Sequence, residues 1–131
     1  MTSTLKVFNN QLFAFAQTLR TRFPENKDIS LGLTGIETLI NHNPKKNVEL
    51  FTYYVYRYRD RILEKDNSLL DTDFIKENNF EDVEGGFDIM SNLRINWKQL
   101  DNDEKANIWK YLLVLCKLTD KYIAETVIIT S

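Results

Sequence analysis

Residues 101–124 read DNDEKANIWKYLLVLCKLTDKYIA, and their pattern predicts one long helix. Asp101 and Glu104 stand three residues apart, the spacing of a capping box that satisfies backbone N–H groups at a helix start. Apolar residues then occur on nearly every side of the helix, at Ile108, Trp109, Leu112, Leu113, Leu115, Cys116, Leu118 and Tyr122. A helix that is apolar all round is buried by its neighbours. We therefore expect this C-terminal helix to be central in a helical bundle.

Four earlier segments repeat apolar residues every three or four positions, which is the spacing of amphipathic helices. Their predicted bounds are 5–23, 28–42, 44–65 and 87–100, with a weaker element over 68–78. Thr4 is the expected N-cap of the first helix and Pro24 ends it, while Asn43-Pro44 starts the third. Since no run alternates at period two, the sequence predicts an all-α, single compact bundle of five to six helices.

The predicted core joins three of these helices. Its members are Phe51, Val55, Trp97, Trp109, Leu112 and Leu115. Gly32 and Gly35 weaken the second helix, because glycine costs about 1 kcal/mol relative to alanine inside a helix. We expect both glycines to lie where another helix approaches closely.

The composition suits one globular domain over residues 1–131, since 43% of the residues are hydrophobic and only four Gly and two Pro occur. Within it, we expect an acidic loop at about 79–87 to be flexible and a tail at about 126–131 to fray or pack across a groove. One cysteine excludes an internal disulfide, and neither a secretory signal nor a membrane-spanning run is present. We therefore expect a cytoplasmic protein that does not enter a membrane.

Histidine and cysteine, two residue types that often act in catalysis, occur once each. His42 is the only histidine and ends a predicted helix, where its positive charge is favourable. Cys116 is the only cysteine and lies on an apolar helix, where burial raises the thiol pKa. No glycine-rich nucleotide loop occurs, and the GxxG of Gly32–Gly35 lacks basic flanks. We expect neither enzymatic activity nor a cofactor; an enzyme using carboxylates and tyrosine would need a deep polar pocket.

Two acidic runs offer hard oxygen ligands of the kind that Ca²⁺ and Mg²⁺ bind. They are Asp66, Asp71 and Asp73, and Asp101, Asp103 and Glu104. Neither run has the glycine and the final glutamate of an EF-hand loop. We interpret both as solvated acidic loops and expect no metal site.

Residues 53–61, YYVYRYRDR, are the unusual stretch of the chain. On a continuous helix, Tyr53, Arg57 and Arg61 face outward, with Tyr56 and Arg59 on an adjacent strip. Exposed tyrosine and arginine are enriched at binding hot spots and stack on bases. We therefore predict a partner-binding surface of these five residues. In the alternative interpretation, the tyrosines cover a neighbouring helix and the arginines pair with carboxylates, namely Glu49, Asp60 and Glu64.

Charge is distributed unevenly along the chain. Residues 1–63 carry nine basic and five acidic side chains, and residues 64–104 carry four basic and twelve acidic ones. Residues 105–131 carry four basic and two acidic ones, and the whole chain has a net charge of −2. Such asymmetry favours a charged partner or head-to-tail self-association. The alternative is that the acidic segments only keep the protein soluble.

Two segments carry a resemblance to a known group of proteins. The first contains Asn43-Pro44, Leu50-Phe51, Arg57-Tyr58, Ile62-Leu63 and Asp66, and the second contains Trp97-Lys-Gln-Leu100, Ile108-Trp-Lys-Tyr-Leu112 and Leu115. Together these segments resemble small helical proteins encoded by large DNA viruses of algae and amoebae. The resemblance covers about half of the chain. It implies a location in the cytoplasm, a viral factory or the virion, and it carries over no active-site residue.

These observations predict a non-enzymatic interaction protein with a protein partner, in the viral case a structural, assembly or host-interaction factor. The alternative function is a nucleic-acid-binding accessory protein that uses the Tyr/Arg face of the third helix. Salt-dependent binding of single-stranded oligonucleotides separates the two functions, since contacts to phosphates release counterions.

Overall fold

Six α-helices occur in the part of the chain that the structure describes, and no β-strand. The structure is a computed structural model that describes residues 3–71 and 89–130, with side chains up to residue 126. The helices are α1 (Thr4–Arg22), α2 (Lys27–His42), α3 (Pro44–Tyr54), α4 (Arg59–Leu63), α5 (Ile89–Asn96) and α6 (Asn102–Thr130). Short 3₁₀ turns lie at Tyr56–Tyr58, Asn67–Leu69 and Trp97–Gln99. The predicted all-α class and the number of helices are confirmed.

Side-chain caps define the starts of α1 and α6. The Lys6 N–H donates to the hydroxyl oxygen of Ser3 at 3.1 Å, so the N-cap of α1 is Ser3 and not the predicted Thr4. Thr4 is instead buried, and its hydroxyl donates to Glu125 at 2.8 Å. At the start of α6, Asp101 and Glu104 exchange side chain–backbone hydrogen bonds of 2.8 and 3.0 Å. The predicted capping box is therefore confirmed.

The arrangement is built around α1, which contacts α2, α3 and α6. Helices α1 and α6 run antiparallel, since Thr4 bonds to Glu125 at one end and Arg22 bonds to Glu104 at the other. One face of α6 is buried, whereas the opposite face is exposed at Lys110, Lys117 and Lys121. The expectation of a central C-terminal helix therefore holds for the inner face of α6 only.

The core is a single cluster of buried apolar side chains that contains all six predicted residues. Trp97 and Trp109 meet edge to face, with ring centroids 5.7 Å apart. Phe8 on α1 and Phe51 on α3 form a second edge-to-face pair at 5.4 Å. Such pairs stabilise a fold by about 0.5–1.5 kcal/mol beyond the area they bury.

The predicted third helix is interrupted. It was expected to run over 44–65, but α3 ends at Tyr54 and α4 begins at Arg59, with the 3₁₀ turn between them. Val55, with φ −118° and ψ −47°, is the C-cap residue of α3 and precedes the 3₁₀ turn. Periodicity could not reveal this break, because Val55 and Ile62 are buried on either side of it just as a continuous helix requires. Side chains just after the break, Tyr56 and Arg59, contact Asp120 on α6.

Gly35 in α2 and the end of α6 differ from what the sequence predicts. Gly32 is buried in α2, but a Cβ added at Gly35 would meet no atom within 4 Å, so the expected close approach at Gly35 is wrong. Helix α6 continues beyond the predicted end at Ala124 to Thr130, since no glycine or proline interrupts it. The acidic loop at 79–87, most of the weaker element over 68–78 and the predicted start of α5 at Phe87 lie outside the described residues.

Two buried amides, which sequence patterns did not predict, join three helices. The Asn47 side chain donates to the Asn9 side-chain oxygen at 3.2 Å and to the Ile36 carbonyl at 3.3 Å. The Asn9 side chain donates to the Pro44 carbonyl at 3.1 Å. Because buried polar groups are costly without partners, these bonds fix the corner between α2 and α3 against α1.

We predict that Trp109→Ala destabilises the protein by about 3–5 kcal/mol, because it removes a buried ring and leaves a cavity beside Trp97. That loss is large against a typical total stability of about 5–15 kcal/mol. Urea unfolding followed by circular dichroism measures it. Lys110→Ala, which changes the exposed neighbour, is the control and should stay within about 0.5 kcal/mol of the parent. A Trp109→Ala protein as stable as this control would contradict the assigned core.

Candidate functional site

Two side chains of the predicted Tyr/Arg surface meet at one carboxylate of α6. Arg59 binds Asp120 in a bidentate manner, with Nε at 2.9 Å from Oδ1 and Nη2 at 2.7 Å from Oδ2. The Tyr56 hydroxyl donates a hydrogen bond to the same Oδ1. About a third of each charged side chain, Arg59 and Asp120, remains exposed. Charge-assisted bidentate bonds impose a defined geometry, so they hold the turn at 56–58 and α4 against α6.

The cluster keeps its charge state near neutral pH. The hydrogen bond from Arg59 lowers the pKa of Asp120, although burial opposes the shift. The hydrogen bond to Asp120, together with burial, raises the pKa of Tyr56, and the same carboxylate raises the pKa of Arg59. Each shift therefore moves a group further from titration near neutrality. A general acid or base needs a pKa near the operating pH, whereas the pKa values of these three groups are shifted away from neutrality. The cluster therefore suits a structural role, in which it holds α4 against α6 as a clamp.

Cys116 lies one helical turn before Asp120. Its side chain is fully buried, and burial raises the pKa of the thiol to about 12. The reactive thiolate is therefore scarce at neutral pH, as the sequence predicted. His42 is exposed in the last turn of α2, which is the position expected for it.

Arg61 joins a second set of polar contacts. Its Nε donates to Asp66 at 2.9 Å and its Nη2 donates to the Ser68 hydroxyl oxygen at 2.8 Å. Asp66 also accepts from the Ser68 backbone N–H at 3.0 Å and so caps the 3₁₀ turn at Asn67–Leu69. The hydrogen bond from the Ser68 hydroxyl, followed by that from Arg61, lowers the pKa of Asp66. Asp66 therefore has a structural role, because it caps the turn and binds Arg61. No group of three potential metal ligands occurs among the described residues.

Two members of the predicted surface point to solvent. Tyr53 is 67% exposed and touches Tyr54 edge to face, with centroids 4.7 Å apart. Arg57 is exposed, and its guanidinium lies 5.5 Å from the centroid of the Tyr58 ring. The structure therefore divides the five predicted residues into an anchored set of Tyr56, Arg59 and Arg61, and an exposed pair of Tyr53 and Arg57.

Part of the alternative interpretation is also observed. Arg59 lies 3.6 Å from Asp60, one of the three carboxylates considered as arginine partners. The stronger partner, Asp120, was missed because it lies 61 positions away. One signal pointed to it: Asp120 is the only acidic residue among the apolar and basic residues at 105–124.

A shallow open depression of about 290 Å³ lies near the turn between α1 and α2. Its lining residues are Arg22, Phe23, Pro24, Glu25, Asn26 and Asn96. Arg22 is already bonded to Glu104 at 2.5 Å and to the Gln99 carbonyl at 2.8 Å. This depression is therefore not the deep polar pocket that an enzyme would need.

No family model, curated protein or solved structure matches this chain. The resemblance to small viral helical proteins accordingly stays a prediction. In the described part of the chain, no helix is both long enough and apolar enough to cross a membrane.

We predict that Asp120→Asn destabilises the protein at neutral pH, because Arg59 and Tyr56 lose their shared acceptor charge. The pKa of Asp120 is lowered on folding. Its contribution is therefore present above the unfolded pKa of about 4 and is lost as the pH falls through the folded value. Urea unfolding across an acidic pH series should show the difference between parent and variant narrowing below about pH 4.

Asp60→Asn is the matched control, since Asp60 also faces Arg59 but is 94% exposed. Exposed pairs contribute little to stability, so this variant should unfold like the parent at every pH. Equal losses in both variants, or a difference between Asp120→Asn and the parent that does not change with pH, would contradict the clamp.

Proposed function

We propose that the protein is a non-enzymatic interaction protein that binds a protein partner through the exposed pair Tyr53 and Arg57. The observation that carries the proposal is the division of the Tyr/Arg segment into anchored and exposed residues. Tyr56 and Arg59 tie the segment to α6, and Arg61 ties it to the following turn. The exposed pair is thereby presented on a held backbone.

A held backbone lowers the entropy cost of binding, because the segment need not be ordered when the partner arrives. Tyrosine adds a large amphipathic contact with few rotatable bonds. Arginine adds a planar cation that forms bidentate bonds with carboxylates. Together the two side chains suit an acidic protein surface with room for one aromatic ring.

A nucleic-acid partner is less favoured by the charges around this pair. Asp120 and Asp66 occupy Arg59 and Arg61. The exposed carboxylate of Asp60 lies in the same segment, and the whole chain carries a net charge of −2. Nucleic-acid affinity grows with the number of phosphates that free cations neutralise. Stacking of bases on Tyr53, with Arg57 on a phosphate, remains the alternative function.

The proposed setting follows from the viral resemblance. A small interaction protein of a large DNA virus would work in the cytoplasm or a viral factory, or be packaged in the virion. This part of the proposal rests on the two segments quoted above and is independent of Tyr53 and Arg57.

The function is tested with the double variant Tyr53→Ala/Arg57→Glu, used as bait for affinity capture from the native cell. Proteins captured by the parent should be lost with this variant, while the thermal melt stays unchanged because both side chains are exposed. Arg61 is left intact, since its bonds to Asp66 and Ser68 belong to the fold.

The control is Leu31→Ala/Arg20→Glu, which makes the same types of change at exposed positions on α2 and α1. It should capture the same proteins as the parent. Unchanged capture by Tyr53→Ala/Arg57→Glu would refute the assigned surface. Recovery of nucleic acid that this variant loses, and that added salt weakens, would support the alternative function.

A further inference from the structure

The outward side of α6 carries a row of exposed residues that we call the lysine face. It consists of Lys110, Val114, Lys117 and Lys121, all of them exposed. Their steps of four, three and four residues place them on one side of the helix. At 1.5 Å per residue the row spans about 16 Å.

The lysines of the lysine face are not paired with any carboxylate that the structure describes. In residues 3–71 and 89–126, Arg22, Arg59 and Arg61 form ion pairs, and no lysine lies within 4.0 Å of a described carboxylate. No acidic residue occurs on α6 between positions 105 and 119. The next two acids are engaged elsewhere, since Asp120 binds Arg59 and Glu125 accepts from Thr4.

This face also departs from what the helix itself favours. Lys117 and Lys121 are four residues apart, and like charges at that spacing destabilise a helix slightly. Val114 lies between lysines and is 38% exposed, although β-branched residues are weaker helix formers than straight-chain polar ones. A glutamate in place of one lysine would serve the fold better. Helix stability by itself therefore does not explain this row of like charges.

We infer that the lysine face docks an acidic amphipathic helix of a partner protein. Carboxylates on that helix would meet Lys110, Lys117 and Lys121, and a small apolar side chain would lie on Val114. The unneutralised positive row complements an acidic surface, and electrostatic complementarity of this kind speeds encounter and sets register. Because the row is straight, a second helix that runs alongside α6 can follow it over its whole length.

An acidic protein helix fits this face better than a nucleic acid does. Lysine is a compact charge that pairs with single carboxylates as well as with phosphates. Asp101, Asp103 and Glu104 lie at the N-terminal end of α6, and a long polyanion that followed α6 past the row would meet their negative charge. A short helix confined to the row would avoid it.

The lysine face is separate from the Tyr53–Arg57 pair. Asp120 points from α6 to Arg59 on α4, and 100° per residue puts Lys117 and Lys121 about 60–100° around the helix axis from Asp120. The inference therefore stands on its own contacts, and the two surfaces fail or succeed in different variants.

The probe is a synthetic helical peptide with glutamates at the spacing of the three lysines and a leucine opposite Val114. Chemical shifts of the ¹⁵N-labelled protein should move along the outward side of α6 when the peptide is added. By fluorescence anisotropy, Lys110→Glu/Lys117→Glu/Lys121→Glu should weaken binding about tenfold or more. Lys27→Glu/Lys45→Glu/Lys46→Glu reverses the same number of exposed charges elsewhere and should bind like the parent.

Several results would overturn the inference. They are shift changes away from α6, equal loss in both triple variants, and equal binding of a peptide with glutamine in place of glutamate. Tighter binding of a single-stranded oligonucleotide at the same face would assign it to nucleic acid instead. The shift map uses the unchanged protein and therefore decides the matter even if the charge-reversed variant fails to fold. Tyr53→Ala/Arg57→Glu should leave peptide binding unchanged, which separates this result from the proposed function.

Discussion

The carboxylate of Asp120 is the point on which the placement of α4 against α6 depends. Burial of apolar surface stabilises the fold, but it is non-directional and would accept several placements of α4 against α6. The bonds from Arg59 and Tyr56 to Asp120 are directional and require one particular placement of α4 against α6. Both side chains follow the end of α3 at Tyr54, and they contact a residue of α6 more than 60 positions later in the chain.

The same contact shows which basic side chains are used within the fold. Three arginines are bonded within the fold: Arg22 bridges α1 and α6, Arg59 holds α4, and Arg61 holds a turn. Lysines on the outward side of α6 are not used in this way. A side chain already bonded within the fold must break that bond before it contacts a partner, whereas an exposed unbonded one need not. Both proposed surfaces consist of side chains of the second kind.

Sequence reasoning reached the core and the helix starts with good accuracy. Trp97 and Trp109 pack together as predicted, and Asp101 with Glu104 forms the predicted cap. It failed by one residue at the N-cap of α1, where Thr4 is drawn to Glu125 and Ser3 takes the capping role. Serine and threonine are both good N-caps, so the local pattern could not show that Thr4 bonds to a residue 121 positions away.

The candidate surface divides along the same line. Residues 53–61 carry their Tyr/Arg composition whatever the fold, and helical spacing alone identified them as a group. Caps and apolar periods depend on neighbours within a few positions, so they can be read from one chain segment. Whether an arginine is bonded or exposed depends on which helix lies beside it. That placement is set by packing across the whole bundle, which is why only the tertiary structure could separate Arg57 from Arg59.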